Sequence, residues 1–468
     1  MKYNVLQRIE SEEVLAPAVS VIITVYNGAE YLAECLESIF AQTLKNIEII
    51  CVDDASTDNT PQLLKTYRDR ITIITNPSNR MAGESRNIGF EKATGEYVIF
   101  LDADDVFESD MLEKAYEKAK SCEADICIFR EDLFSKSIEN RTGYSYAEPF
   151  MKELETRDFF SPKELADMLF SLWNGWAWDK LFRREFIAGT GLKFQKLQST
   201  NDGFFVHAAL ALSERISLVN KVLVHHRTGN GSSLSNTRDK AWESCLVYLK
   251  ELRRDLMQRG VFATFERSYL NWSLEFLYWN YQTLNEASKK KLAEAIRQFF
   301  INEIEIMRYG REDFYNEFSG WFADCIMKNE ENKIPVTEAE RFRKTYQLNE
   351  LKIEALQKYL TKHRWKTALW GAGIRGRAFA EIYGESWNNI QCVYDTDRTK
   401  QGQAICNELM IREFSVQNAE KTDCILVLNS AHIASVLEKL HGKQVVVFDL
   451  NTYLNSPREL EDCILKGD

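Results

Sequence analysis

Short β-branched apolar runs alternate with helically spaced ones through the first 130 residues. Val19 to Val25 is apolar apart from Ser20 and Thr24, the pattern of a strand buried in a parallel sheet. Tyr31 to Ala41 places Leu32, Cys35, Leu36, Ile39 and Phe40 at helical spacing, and Ile47 to Val52 predicts a second strand ending in Asp53-Asp54. Thr60-Pro61 predicts the next helix start, with Thr60 as N-cap and proline in the first turn. Strands at Ile71 to Thr75 and Tyr97 to Leu101 flank a helix around Arg86 to Ala93. Such alternation predicts helices on a mostly parallel sheet, whose ligands sit beyond the carboxyl ends of the strands. Polar clusters fall at those ends: Thr24 to Asn27, Asp53-Asp54, and Asp102 to Asp105.

From about 131 to 235 the pattern is less regular. Ser161-Pro162-Lys163-Glu164 predicts a capping box opening a helix toward Leu172. Residues 239–363 read as helical throughout. Trp242, Cys245, Leu246, Leu249, Leu252 and Leu256 form one apolar stripe, and Leu348, Leu351, Leu356 and Leu360 suggest another. Strand and helix patterns return at Thr367. The expected organisation is therefore α/β over 1–235, helical over 236–363, and a small Rossmann-like α/β unit over 364–468.

Composition narrows the function classes. The chain has 468 residues with 59 basic and 70 acidic side chains, a net charge of −11, and no Lys/Arg-rich block, which argues against nucleic acid as a partner. Its ten cysteines form no CxxC pair, so neither a zinc cluster nor a disulfide framework is expected, and a reducing cytoplasm suits them. Met1 to Pro17 lacks the apolar core of a signal peptide, and no run of 18 apolar residues predicts a membrane span. A cytoplasmic protein is expected; peripheral association at the inner membrane face and self-association through the helical or C-terminal region stay open.

Asp102-Ala103-Asp104-Asp105 places three carboxylates just beyond a predicted strand. Like charges this close repel unless a cation sits among them, and Mg²⁺ or Mn²⁺ bridging a diphosphate is the natural one. The bland alternative is a solvated turn before the helix at Met111. Residues 19–27 (Val-Ser-Val-Ile-Ile-Thr-Val-Tyr-Asn), 48–60 (Glu-Ile-Ile-Cys-Val-Asp-Asp-Ala-Ser-Thr-Asp-Asn-Thr), 85–89 (Ser-Arg-Asn-Ile-Gly) and 95–105 (Gly-Glu-Tyr-Val-Ile-Phe-Leu-Asp-Ala-Asp-Asp) resemble, in order and spacing, the motifs of the family-2 glycosyltransferases.

That resemblance implies a GT-A fold, a nucleotide-sugar-binding sheet fused to an acceptor half. It implies that Tyr26 lies against the base and that Asp53 or Asp54 accepts a hydrogen bond from it, with Thr24 and Asn27 also at this nucleotide end. The resemblance further implies that Arg86 helps hold the nucleotide, that Asp102 faces ribose and metal, and that Asp104 is the main metal ligand. Thr24 stands where the family usually has proline. The implied donor is a nucleotide sugar, with UDP favoured; a glycan, a lipid-linked sugar or a protein could each be the acceptor.

Inverting transfer needs a carboxylate that takes the proton from the attacking hydroxyl. Ser199 to Phe205 resembles the family's Glu-Asp pair followed by Phe, with Asn201 in place of Glu and Asp202 at the base position. The competing role for Asp202 is a helix N-cap, and Asp179 is the fallback base. Trp176 to Arg184 resembles the segment supporting the acceptor cleft. His225 to Ser233 resembles one that closes over the diphosphate, with Arg227 as phosphate contact and His226 as a further metal ligand. On a strand, His225 and His226 face opposite ways, so at most one faces the site.

Gly371-x-Gly373-x-x-Gly376 follows a predicted strand, with Asp395 nineteen residues after the last glycine, the context of a dinucleotide fingerprint. Ligand binding and a structural or docking role are equally open there. Two rivals to the transferase remain. A nucleotidyltransferase needs a glycine-rich, Arg-containing loop after the first strand, which Thr24 to Tyr31 does not supply. A binding scaffold without catalysis draws support from Asn201 alone.

Overall fold

The computed structural model describes residues 16–135, 142–143, 154–229, 234–384, 387, 390–406, 409–429, 432–455 and 460–466. The reading of Met1 to Pro17 therefore lies almost wholly outside the described residues, as does the run at 230–233.

The first sheet contains β1 (Val19–Val25), β2 (Ile47–Asp53), β3 (Thr72–Thr75), β4 (Tyr97–Asp102), β5 (Val106–Phe107), β6 (Ile126–Phe134), β7 (Thr142–Gly143), β8 (Lys180–Arg183) and β9 (Ile216–Arg227). Their order is β3-β2-β1-β4-β8-β6-β9-β5, with β7 on β6. The β3-β2-β1-β4 half is parallel, and α1 (Leu32–Phe40), α2 (Thr60–Thr66) and α3 (Ala82–Phe90) follow its strands in turn. Register sets Thr24 beside Asp102 and Val25 beside Asp53, so the polar strand ends meet along one edge. Val106 pairs with His225, bringing the end of β9 against the acidic turn.

Alternation along β1 divides the core. Val21 and Ile23 face one layer with Leu36, Ile99 and Leu101, while Ile22 faces the other with Val98 and Phe100. The second layer continues through the Gly203–Leu212 helix into helices at Ser244–Gln258, Phe262–Thr283, Glu286–Phe299 and Glu317–Met327, ending at Ile334. Packing thus runs unbroken across the boundary expected at 235. Tyr346, Ile353, Leu356 and Leu360 instead join the core of the second sheet, so the cores part between 334 and 346 rather than at 363.

That second sheet orders β10 (Thr367–Trp370), β11 (Ile390–Asp395), β12 (Ala404–Cys406), β13 (Leu409–Glu413), β14 (Cys424–Val427), β15 (Val446–Asp449) and β16 (Ile464–Lys466) as β12-β13-β11-β10-β14-β15-β16. Its five central strands are parallel, a Rossmann-like arrangement. Among the described residues no helix is long and apolar enough to cross a membrane.

Local readings shift in four places. Asn59, not Thr60, occupies the N-cap position of α2, without a side-chain cap bond; Asp58 receives the Thr60 amide at 2.9 Å, and Thr60 Oγ1 accepts from Gly28 N. The capping box at Ser161 forms, but it opens a 3-10 turn, Pro162–Leu165, and the helix resumes only at Leu169–Leu172. The helix expected from Arg86 begins at Ala82. Leu351 is 82% exposed, outside the stripe expected to contain it.

Candidate active site

A cleft of about 1010 Å³ opens at the carboxyl edge of the parallel strands. Thr24, Tyr26, Asn27, Asp54, Arg86, Asp102, Asp104, Asp202, His226 and Arg227 all line it. Of the positive-φ non-glycine residues, Asn27, Met81 and Thr200, with φ between 52° and 72°, line the cleft, while Glu123, Glu305, Asn329 and Arg364 lie elsewhere.

At the end of β1 Tyr26 is half exposed. Asn27 Oδ1 receives the amide of Thr57 at 2.7 Å and that of Asp58 at 3.3 Å, so it shapes the loop after β2 as well as lining the cleft. Asp54 Oδ1 accepts from Asn76 Nδ2 at 2.7 Å and from Arg80 N at 2.8 Å. Asp53 lies buried beneath and is not among the cleft-lining residues. One of its oxygens holds Ser56 N at 3.0 Å, and Oδ2 has no hydrogen-bond partner.

The three carboxylates after β4 divide. Asp105 is completely buried and pins β9, accepting from His226 Nδ1 at 2.9 Å and Arg227 N at 2.9 Å. Asp102 and Asp104 face the cleft. Asp102 Oδ1 takes Arg86 Nη2 at 2.6 Å, and the Asp104 carbonyl takes Arg227 Nε at 2.8 Å. Arg227 also reaches Glu34 Oε2 at 2.5 Å and lies over the Tyr31 ring. His225 turns inward between Asp132 at 2.6 Å and Glu108 at 3.1 Å, whereas His226 lines the cleft.

Burial disfavours a charged His226, but Asp105, Asp102 and Asp104 overcome it and hold its pKa up at about 9. The imidazolium is thus one cation available to the acidic turn, and a divalent ion is another. Among the described residues no three His, Cys, Asp or Glu side chains converge to hold an ion unaided. With its Nε2 proton released, His226, whose Nδ1 is engaged by Asp105, would join Asp102 and Asp104 as ligands that fit a hard divalent ion completed by diphosphate oxygens.

The opposite wall carries Asp202 at the start of the Gly203–Leu212 helix. Phe205 of that helix stacks on Phe194 at 3.9 Å and meets Phe100 and Phe182 edge-on, so the helix is fixed against β4 and β8. Asp202 occupies the N-cap position without a side-chain cap bond, its backbone already helical at φ −92° and ψ −27°. Burial pushes its carboxyl up to about 6, with Arg86 pulling down and Asp102 pushing up. Arg86 spans both walls, giving Nη1 to Asn201 Oδ1 at 2.6 Å. Asp179 is committed elsewhere: it pairs with wholly buried Lys180 at 2.6 Å, whose Nζ also holds the carbonyls of Asn174 and Trp176 at 3.0 Å each. That lysine fixes the loop presenting Trp176 and Trp178, which stack on each other and on His226.

Residues 20–186 match the family model for glycosyl transferase family 2. The cholesterol galactosyltransferase of Borreliella burgdorferi is 30% identical over 270 residues, covering 56% of this chain and 73% of that protein. This chain belongs to the family-2 glycosyltransferases. Glycosyltransferase GlyG of Streptococcus pneumoniae is 28% identical over 50% of this chain and 78% of its own length. Staphylococcus aureus TarS 1–349, solved with UDP-GlcNAc, superposes at a TM-score of 0.45 and 17% identity over 67% of this chain and 92% of that one, too loosely to carry an argument.

The cleft also includes residues to which the sequence assigns no site role: Tyr248, Trp272, Phe276, Trp279, Glu275, Arg238 and Arg341, of which those between Tyr269 and Tyr281 read as part of a buried helix. Neutral, buried His207 links Tyr248 and Trp272 to the Gly203–Leu212 helix. Its pKa is pushed down to about 3 by burial, its Nε2 lies 3.1 Å from the Trp173 carbonyl, and its Nδ1 pairs with Tyr248, which accepts Trp272 Nε1 at 2.8 Å. In the C-terminal glycine loop Gly371 and Gly373 face open space, and only Gly376 is closely packed. Asp395 accepts Ala372 N at 2.7 Å, and a Cβ on Gly376 would lie 1.9 Å from the Gly371 carbonyl oxygen. Arg375 leaves the loop to contact Asn451 at 3.1 Å and the Phe342 ring, joining this unit to the Glu338–Leu348 helix.

Proposed function

We propose that the chain moves a sugar, with inversion, from a nucleotide-diphosphate donor to an acceptor hydroxyl, with Asp202 as the general base. The observation that carries this is the placement of Asp202: in the cleft, uncapped, and raised to about 6 by burial. A base with that pKa is ionised at neutral pH yet keeps a useful affinity for a proton. Its carboxylate takes the proton as the acceptor oxygen bonds the anomeric carbon, while the bond to the diphosphate breaks on the opposite face.

Arg86 and Arg227 supply guanidinium groups for the developing negative charge. Asp102, Asp104 and His226 would hold Mn²⁺ or Mg²⁺, which offsets charge on the leaving diphosphate. Tyr26 and Asp54, which line the same cleft, support a uridine donor. The Asn201 departure, the one feature favouring a catalytically silent scaffold, is absorbed by its bond to Arg86.

Hydrolysis of UDP-, GDP- and dTDP-sugars without acceptor tests the reading. UDP-sugar turnover is expected, dependent on Mn²⁺ or Mg²⁺ and lost in Asp104→Ala. Unchanged hydrolysis in EDTA would refute the metal role, and no turnover of any donor would favour the scaffold.

A further inference from the structure

Two cavities meet at one wall. The cleft of about 1010 Å³ and a second cavity of about 740 Å³ share Glu275, Trp279 and Arg341. Either alone matches the roughly 300–1,000 Å³ of a small-ligand pocket, so together they exceed what one nucleotide sugar needs. The second cavity runs from the helical region to the ends of β14 and β15, where Arg375, Leu428 and Leu450 line it.

Glu275 and Trp279 of that wall stand on the Phe262–Thr283 helix, and Arg341 on the Glu338–Leu348 helix. Trp272, Phe276 and Trp279 recur four and three residues apart and therefore share a face. Their ring centroids stand 5.4 Å and 6.0 Å apart, with planes within 22° of parallel. An aromatic stripe on a helix is ordinarily core, yet Trp279 is 39% exposed, and the Arg238 guanidinium lies over its ring at 3.9 Å from the centroid, so a sugar crossing Trp279 would meet it by displacing that cation. Charged groups interrupt the stripe, with Glu275 paired to Arg341 in its midst.

The charge of the second cavity selects its occupant. Glu275 and Glu338 are matched by Arg341 and Arg375, so the lining carries no net charge. An acyl chain would want an unbroken apolar wall, and a polyanion would want unmatched cations. Pyranose rings present polarised C–H faces suited to the negative face of an aromatic ring, and a rim of hydroxyls suited to amides and ion pairs.

We propose that the two cavities form one acceptor groove for an extended, uncharged saccharide chain. The hydroxyl to be glycosylated lies at Asp202, and the preceding sugar units cross Trp279 toward the second sheet. This rests on the transferase reading above and names its acceptor class.

The test uses the full chain with UDP and Mn²⁺, and calorimetry with cello-, malto- and chito-oligosaccharides from disaccharide to hexasaccharide. In at least one ladder affinity should rise about tenfold or more with length, about 1.4 kcal/mol. Trp279→Ala should abolish that rise, and Trp279→Phe should restore most of it, with melting temperature as the check on folding. Flat ladders throughout, a rise that survives Trp279→Ala, or competition by dodecyl chains instead of sugars would overturn the groove. Absence of any donor hydrolysis by the wild-type chain would strike the transferase reading first; intact hydrolysis with flat ladders strikes the groove alone.

Discussion

Asp202 and Asn201 sit side by side, and Arg86 couples them. Because burial raises the Asp202 carboxyl to about 6, transfer should fall about tenfold per pH unit below that value as the base is protonated. A pH–rate profile of kcat/KM should show this acid limb, and a flat profile down to pH 5 would exclude Asp202 as base. The stability sign runs the other way. A carboxyl whose folded pKa lies above its usual 3.8 weakens the fold when ionised, and that cost disappears as pH falls through 6 toward 4. Asp202→Asn should therefore hold or raise the melting temperature, with no cap bond to lose, while transfer drops on the order of 10²–10⁴-fold. Transfer within a few-fold of wild type would leave Asp202 structural. Asn201→Glu tests the coupling: a carboxylate beside Arg86 offsets the cation that lowers the Asp202 pKa. The acid limb should then move to higher pH, and a shift downward would contradict the arrangement.

Elements, rather than single residues, decide which of these groups reach the cleft. The loop from Asn174 to Trp178 is held by Lys180, whose side chain is fully buried against Asp179. Lys180→Met would leave that carboxylate buried and unpaired, so equilibrium unfolding in guanidinium should show a loss of about 3–5 kcal/mol. A loss under 1 kcal/mol would mean that the loop holds itself. The strand ends were legible in the sequence, because period and position alone put Thr24, Asp54, Asp102 and Asp104 on one edge. The division of labour among neighbouring acids was not. Whether Asp105 faces the site or pins β9 depends on a strand more than 100 residues away, and Asp53 is turned under by the loop after β2. Tyr269 to Tyr281 reads as a buried helix from its composition, and most of it is; Trp279 escapes burial because of how the helices pack, which no local pattern encodes.

At the scale of the molecule, the position of the last cut decides what a truncation tests. Every group proposed for donor binding and proton transfer lies before 228, and the last buried residue of the core beneath them is Ile334, with half-buried Leu348 packed against its edge. Tyr346, Ile353, Leu356 and Leu360 pack into the second sheet's core, so ending the chain at 363 would strand four buried apolar side chains in water. Exposed patches of that kind favour association. Ending it after Val336, which is itself 47% exposed, separates the cores between helices. Residues 1–336 should be monodisperse by light scattering and hydrolyse donor within a few-fold of the full chain, whereas 1–363 should aggregate. The shorter protein also lacks Arg341, Arg375 and the second cavity's far side, so any gain in affinity with saccharide length should disappear. A folded 1–336 that binds no donor would show that the C-terminal unit completes the active site. One that keeps the length dependence would place the acceptor somewhere other than the groove.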